Sequence, residues 1–281
     1  MQRFLATIES RLGSIYSQNE IKSIARLLLK QLAGLNSVQI YSGKDTKFPD
    51  GTTNILNHAV DQLVHGEPIQ YVLGKTEFFG LDFNVRPGVL IPRPETEELV
   101  ELILKNHENQ QIQLLDIGTG SGCIAISLAK NIPMAKVSAW DISREALAIA
   151  GENAKLNNVS IAFSIKDIRE FEHFGQESGK WDVIVSNPPY VCQSEKAEME
   201  DHVLNHEPHL ALFVNDDDPL IFYRHIASYA VQNLKKGGAL YVEINSHLGE
   251  ETLRLIQKYH FDKAELLQDL SGRDRMIKAV L

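Results

Sequence analysis

Asn187, Pro188, Pro189 and Tyr190 stand where the apolar run of residues 183–185 stops, in the stretch WDVIVSNPPYV. Prolines carry no backbone N–H. The turn therefore presents acceptors, the Asn187 side-chain oxygen and a backbone carbonyl, that of Pro188. Two acceptors side by side suit a planar –NH2 group with two hydrogens, and Tyr190 adds a flat face for a conjugated amide or base. Such a nitrogen is a poor nucleophile because its lone pair is delocalised. Holding both N–H bonds turns it out of conjugation, and an electrophilic carbon in line at about 3 Å can then be attacked. No metal and no covalent intermediate is required. The plainer alternative is a proline-rich loop after a core strand.

A second group of residues gives the turn a context. In LLDIGTGSGCIAI an apolar strand runs into Gly118, Thr119, Gly120, Ser121 and Gly122, and then into a helix. Glycines here allow a sharp turn and a close approach of a ligand to the backbone. A dinucleotide fingerprint, G-x-G-x-x-G from Gly118, would need glycine at position 123, where the chain has Cys123. G-x-G-x-G fits the S-adenosylmethionine loop of class I methyltransferases better. Asp141 follows Gly120 by 21 residues at the end of KVSAW. A carboxylate there can accept from both ribose hydroxyls, or serve as the N-terminal acid of the next helix. Asp167 ends IAFSIKD and is placed either to accept from an adenine amino group, with Ile168 packing on the ring, or as a loop acid.

All these positions follow strand ends, where open α/β sheets bind ligands. From residue 113 strands and helices alternate: QLLDIG, GCIAISLAKN, KVSAWDIS, REALAIAGENAKLN, IAFSIKD and WDVIVSN. YRHIASYAVQNLKKGG reads as a helix ending in glycines, and ALYVEIN as a strand. Such alternation predicts a parallel sheet covered on both faces. GEETLRLIQKYH reads as a helix, then FDKAELLQDL and DRMIKAVL as two tightly joined, hence antiparallel, strands. Upstream, residues 1–70 read as a helical bundle. It begins with an amphipathic helix in MQRFLATIESRLG, and Ile21, Ile24, Leu27, Leu28, Leu32 and Leu35, then Ile55, Leu56, Ala59, Val60 and Leu63, recur at helical spacing. YSGKDTKFPDGTTN is a polar loop between them. Residues 71–92 read as a β-hairpin linker, and residues 93–281 as the α/β domain, with Pro94 in a helical first turn rich in Glu.

Composition narrows the function class. Hydrophobic residues make up 43% and charged residues 23%, ordinary for a soluble globular protein. No apolar run approaches the ~20 residues of a membrane span, and the N-terminus lacks a signal-peptide core. Eight Lys/Arg against seven Asp/Glu leave +1 on residues 1–80, and the total of −9 puts −10 on residues 81–281. Nucleic-acid binders draw affinity from a basic face, so none is expected here. Cys123 and Cys192 are too few for a disulfide framework, which suits a reducing cytoplasm. His202 and His206, with Glu207 and His209 near, are spaced for a metal on a helix, but read better as a solvated or partner-facing segment.

NPPY after a methyltransferase-like glycine loop resembles the amino-methyltransferases of adenine N6, cytosine N4 and glutamine amides. The flanks choose among them. GEPIQYVLGKTEFFGLDFNVRPGVLIPRPETEELV, LLDIGTGSGCIAISLA, AWDIS, DVIVSNPPYV, EPHLAL and DLSGRDRMIKAVL, in this order, resemble the release factor glutamine methyltransferases, the HemK/PrmC family. The resemblance covers essentially the whole chain. It implies a seven-stranded class I methyltransferase (Rossmann-like) sheet whose last strand is antiparallel, a small N-terminal helical domain for substrate recognition and a β-hairpin linker. It implies methyl transfer from S-adenosyl-L-methionine, leaving S-adenosyl-L-homocysteine, to the glutamine amide in the Gly-Gly-Gln loop of peptide chain release factors 1 and 2, by a cytoplasmic monomer.

In that reading the cofactor contacts residues 118–122, Asp141, Asp167, Ile168 and Asn187. The glutamine contacts Asn187, Pro188, Pro189 and Tyr190. Arg93 and Glu95 of IPRPETE either shape the pocket mouth or are structural. The chain departs from the family pattern at FVNDDDPLIFYR, after EPHLAL, and at Glu243–Ile244–Asn245, where relatives often have EIG. Two rivals stand beside this reading. An N6-adenine nucleic-acid methyltransferase would use the same turn but need a basic channel and an exposed base. A non-enzymatic binding module would have no use for the intact glycine loop, Asp141 and Asn187.

Overall fold

The computed structural model describes residues 1–42, 48–108, 110–174 and 179–281. The polar loop read over YSGKDTKFPDGTTN lies in part, at residues 43–47, outside the described residues. The chain forms two compact units, one of residues 1–75 with 200–206 and the other of residues 76–199 with 207–281.

The first unit is helical: α1 (Gln2–Leu12), α2 (Gln18–Gln31), α3 (Ser37–Tyr41), α4 (Thr52–Val64) and α5 (Ile69–Leu73). Ser17 starts α2 with a capping box. Its N–H donates to Glu20 Oε2 at 2.8 Å, and its side chain accepts from the Glu20 N–H, which satisfies two donors a helix start leaves open. Phe4, Ile8, Leu12, Ile21, Ile24, Leu28, Leu56, Val60 and Leu63 share one core. Leu27 and Ile55 have helical spacing but project outward, 37% and 53% exposed. The buried stripe of α2 runs through Ala25 and Leu29 instead.

The second unit opens with the expected hairpin, β1 (Lys75–Phe78) and β2 (Leu81–Asn84). Its two-residue turn has positive φ at both Phe79 (51°) and Gly80 (69°), the twist that matches paired strands. The Phe79 N–H is held by Glu97 Oε1 at 2.7 Å. Then follow α6 (Pro94–His107), β3 (Gln113–Ile117), α7 (Cys123–Asn131), β4 (Lys136–Asp141), α8 (Arg144–Leu156), β5 (Ile161–Ile165), β6 (Trp181–Ser186) and the short β7 (Val191–Cys192). After α9 (Asp201–His206), which belongs to the first unit, come α10 (His209–Leu212), β8 (Phe213–Val214), α11 (Ile221–Asn233), β9 (Leu234–Glu243), α12 (Gly249–Gln257), β10 (Lys263–Gln268) and β11 (Asp274–Val280). As the sequence requires, Pro94 opens α6 with Glu95 and Glu97 in its first turn.

Seven strands form one sheet in the order β10-β11-β9-β6-β3-β4-β5. Strands β9, β6, β3, β4 and β5 are parallel, and the last strand, β11, is antiparallel to both β9 and β10. Successive side chains alternate between two covered faces. Leu114, Val183 and Val185 join one core with α6 and α7, while Leu115, Ile184 and Leu240 join the other with α11. One expectation is corrected. KKGG does not end a helix, because α11 stops at Asn233 and β9 starts at Leu234. Gly237 takes φ +77°, and a Cβ on Gly238 would lie 2.8 Å from the Lys235 carbonyl. The glycines therefore serve an irregularity in the β6–β9 pairing, between Trp181 and Val183.

Candidate active site

Strand β3 lies between β4 and β6, so the loops leaving all three meet at one end of the sheet. There a cavity of about 290 Å³ is bounded by Gly118 and Gly120 after β3, Asp141 and Ile142 after β4, Lys166, Asp167 and Ile168 after β5, and Asn187, Pro188 and Pro189 after β6. Its size is at the lower end for small-molecule sites. Residues 88–90, Pro208, Leu210 and Phe222 are also part of the wall. Nothing in the sequence's periodicity marked these last residues.

The glycine loop keeps the cavity open. Gly118 and Gly120 have φ of +74° and +55°, and the space where a Cβ would sit holds no atom within 4 Å. Gly122 has another role: its φ is +83°, and a Cβ would lie 2.8 Å from Ile126 Cδ1 and 3.1 Å from Ala150 Cβ, so glycine is needed for close packing. Thr119 and Ser121 are buried. Thr119 Oγ1 donates to Asp116 Oδ2 at 2.6 Å, and the Ser121 carbonyl accepts from Asn153 Nδ2 at 2.9 Å. Of residues 118–122, then, only Gly118 and Gly120 border the cavity.

Asp141 fixes the loop and faces the cavity at once. Its Oδ2 accepts from the Gly120 N–H and its Oδ1 from the Ser143 N–H, both at 2.8 Å. Burial raises its pKa, and these backbone hydrogen bonds oppose the rise. The two carboxylate oxygens together have four lone pairs, so acceptor capacity remains for a diol. Asp167 is engaged by Arg169, whose Nη2 lies 2.6 Å from Oδ2, and this hydrogen bond lowers its pKa. Ile168 is buried beside it at the cavity wall. An apolar wall, a carboxylate and open backbone suit an adenosine moiety, so the donor set fits S-adenosylmethionine.

The NPPY turn is held from behind. Asn187 Nδ2 donates to Thr96 Oγ1 at 3.2 Å, and Thr96 Oγ1 donates to Glu243 Oε2 at 2.7 Å. The Tyr190 hydroxyl donates to Glu243 Oε1 at 3.0 Å, and the Tyr190 carbonyl accepts from Asn245 Nδ2 at 3.1 Å. Among the described residues, neither Asn187 Oδ1 nor the Pro188 carbonyl accepts a hydrogen bond. Tyr190 does not border the cavity; it packs against the core that includes Tyr223, Ile184 and Leu240. Burial, with the Glu243 carboxylate beside it, raises the phenol's pKa. Glu243 is 1% exposed, and burial raises its pKa too. Against EIG only Asn245 departs, and it grips the turn together with Glu243.

Arg93 and Glu95 do not border the cavity either. Glu95 is exposed. Arg93 Nη2 lies 2.6 Å from Glu207 Oε1, and Glu207 Oε2 accepts from the Ile91 N–H at 3.1 Å. Glu207 is therefore an anchor between the segments that carry Leu90 and Pro208, both of them wall residues. Among the described residues no three His, Cys, Asp or Glu side chains form a group able to hold a metal.

Known proteins give this geometry a family. Residues 93–210 match the Methyltransferase small domain, and residues 4–74 match the PrmC N-terminal domain. A release factor glutamine methyltransferase of Bacteroides thetaiotaomicron is 47% identical over 279 residues, 99% of each chain. One of Flavobacterium psychrophilum is 49% identical over 271 residues, covering 95% of this chain and 94% of its own. The fold is shared with a T. thermophilus 16S rRNA N2 G1207 methyltransferase solved with AdoMet and guanosine, at a TM-score of 0.54 and 19% identity, covering 73% of this chain and 49% of that one. With near full-length identity to such relatives, the chain belongs to the release factor glutamine methyltransferase family.

Proposed function

We infer that the cavity is where a glutamine side-chain amide meets S-adenosyl-L-methionine. The enzyme is a protein-(glutamine-N5) methyltransferase acting on release factors. Its target is the Gly-Gly-Gln glutamine of peptide chain release factors 1 and 2, so it serves translation termination. It acts in the cytoplasm as a monomer and makes no direct contact with nucleic acid. The observation that carries the reading is the pair of open acceptors, Asn187 Oδ1 and the Pro188 carbonyl, on the turn that borders the same cavity as Gly118, Gly120 and Asp141.

When bound, S-adenosylmethionine supplies a sulfonium methyl group as the electrophile. Asp141 would hold its ribose hydroxyls, Gly118 and Gly120 let it approach the backbone, and Asp167 with Ile168 borders the adenine. Asn187 and Pro188 accept the two N–H bonds of the substrate amide and so withdraw its lone pair from conjugation. That arrangement orients the nitrogen without any cation. Pro188 and Pro189 have no N–H to compete for it, and the Tyr190 hydroxyl and carbonyl keep the turn in place. As the nitrogen gains a bond to carbon it sheds one of the protons that Asn187 and Pro188 hold; neither amide oxygen is basic enough to keep it, so the proton passes on to solvent water.

Asn187→Ala tests the reading. Cofactor affinity should stay within a few-fold, while turnover on release factor falls by ~10²- to 10³-fold, the usual cost of deleting one preorganised hydrogen-bonding group. Unchanged turnover would sink it.

A further inference from the structure

A primary amide has two ends of nearly the same shape, one accepting and one donating. Which end of Asn187 faces the cavity therefore decides whether the turn can hold an –NH2 group at all. The residues behind the turn settle that choice through direction alone. Glu243 lies at the end of β9, buried, with one oxygen on Thr96 Oγ1 and the other on the Tyr190 hydroxyl. A hydroxyl has a single proton to give. With Glu243 ionised and therefore accepting only, Thr96 gives its proton to Glu243 at 2.7 Å, and towards Asn187 it can only accept. The Asn187 end at 3.2 Å from Thr96 must then be Nδ2, which leaves Oδ1 as the end free for the cavity. Turning the amide over would set two acceptors against each other and present a donor to a substrate N–H.

We propose that Thr96 and Glu243 are positioning residues for methyl transfer, a relay that orients the Asn187 amide with its oxygen towards the substrate. This rests on the reading of Asn187 as an acceptor for the substrate amide. The three groups are far apart in the chain, 91 residues between Thr96 and Asn187 and 147 between Thr96 and Glu243. They meet because the first turn of α6 lies over the ends of β6 and β9. Neither Thr96 nor Glu243 borders the cavity.

The test compares Thr96→Val, which keeps the shape and removes the hydroxyl, with Thr96→Ser, which keeps the hydroxyl and removes the methyl. Cofactor Kd, kcat and KM are measured on purified release factor. Thr96→Val should lower kcat by ~10- to 100-fold, the scale of a misaligned reacting group, with cofactor Kd within about twofold. Thr96→Ser should recover most of that loss. In an Asn187→Ala background, Thr96→Val should cost little more, because the group it orients is gone. Wild-type kcat in Thr96→Val, or Thr96→Ser as poor as Thr96→Val, would overturn the relay. Should Thr96→Val fail to fold, Thr96→Ala, which also removes the hydroxyl, carries the same expectation, and wild-type kcat there overturns it equally. The Asn187→Ala single variant separates the two claims. If it is fully active the acceptor reading fails, whereas if it is inactive beside a normal Thr96→Val only the relay fails.

Discussion

Glu207→Ala should loosen the cavity wall from a position that never touches a ligand. The side chain is fully buried, with one oxygen on Arg93 at 2.6 Å and the other on the Ile91 N–H at 3.1 Å. Removing it leaves a buried N–H without an acceptor, which costs about 1–3 kcal/mol. The Arg93 pair adds less, about 1 kcal/mol, because the Arg93 side chain is 31% exposed and water takes over part of the interaction. Together these come to roughly 2–4 kcal/mol. For a unit of about 200 residues each kcal/mol moves Tm by about 2–4 °C, so calorimetry should show a drop of roughly 5–15 °C. Glu207→Gln keeps an oxygen for Ile91 and should lose only about 1 kcal/mol. A double-mutant cycle with Arg93→Met should return a coupling energy above about 0.5 kcal/mol. A Glu207→Ala protein melting within 1 °C of the wild type would contradict this role for Glu207, and so would a cycle with no coupling.

Two other perturbations follow from the site. Asp141→Ala removes the acceptor of the Gly120 and Ser143 N–H groups as well as that of the ribose, and should weaken cofactor binding by ~10- to 100-fold by titration calorimetry, at the scale of a lost charge-assisted hydrogen bond; unchanged affinity would count against the ribose assignment. Asp116, fully buried under the glycine loop, has its pKa pushed from 3.8 up to about 7, chiefly by burial. The folded state therefore holds this proton more tightly than the unfolded chain, and its contribution to stability is lost as pH rises from about 4 to about 7. At 1.36 kcal/mol per unit that contribution is on the order of 4 kcal/mol. Asp116→Asn should flatten the fall of Tm over that range, and parallel pH profiles would contradict this.

Features set by local pattern and strand order were legible in the sequence. The glycine loop, Asp141, Ile168 and Asn187 each follow a strand, and a parallel sheet brings strand ends together whatever the loops contain. Pro94 announced the start of α6, and the short join between the last two strands announced their antiparallel pairing. Periodicity is silent where two distant side chains choose one another. Thr96 and Glu243 look like a helical threonine and the acid of a buried strand, and only the fold puts them behind Asn187. Glu207 reads as one acid in a histidine-rich segment until Arg93 reaches it from 114 residues away. Tyr190 carries a phenol suited to stacking, yet Glu243 and Asn245 hold it at both ends, away from the cavity. Lys235 to Gly238 follow a helical run and carry the glycines of a helix end, but pairing with β6 draws them into β9.

The most direct measurement is methyl transfer from labelled S-adenosylmethionine, with purified release factor, its Gly-Gly-Gln variant carrying Gln→Glu, and DNA in parallel reactions. Label is expected on the wild-type factor alone. The glutamate variant sets a carboxylate against two acceptor oxygens, a mismatch that sites built on such hydrogen bonds reject by ~10⁴-fold. Label on the glutamate variant would contradict the acceptor pair. Label on DNA with none on the factor would assign the NPPY turn to adenine chemistry.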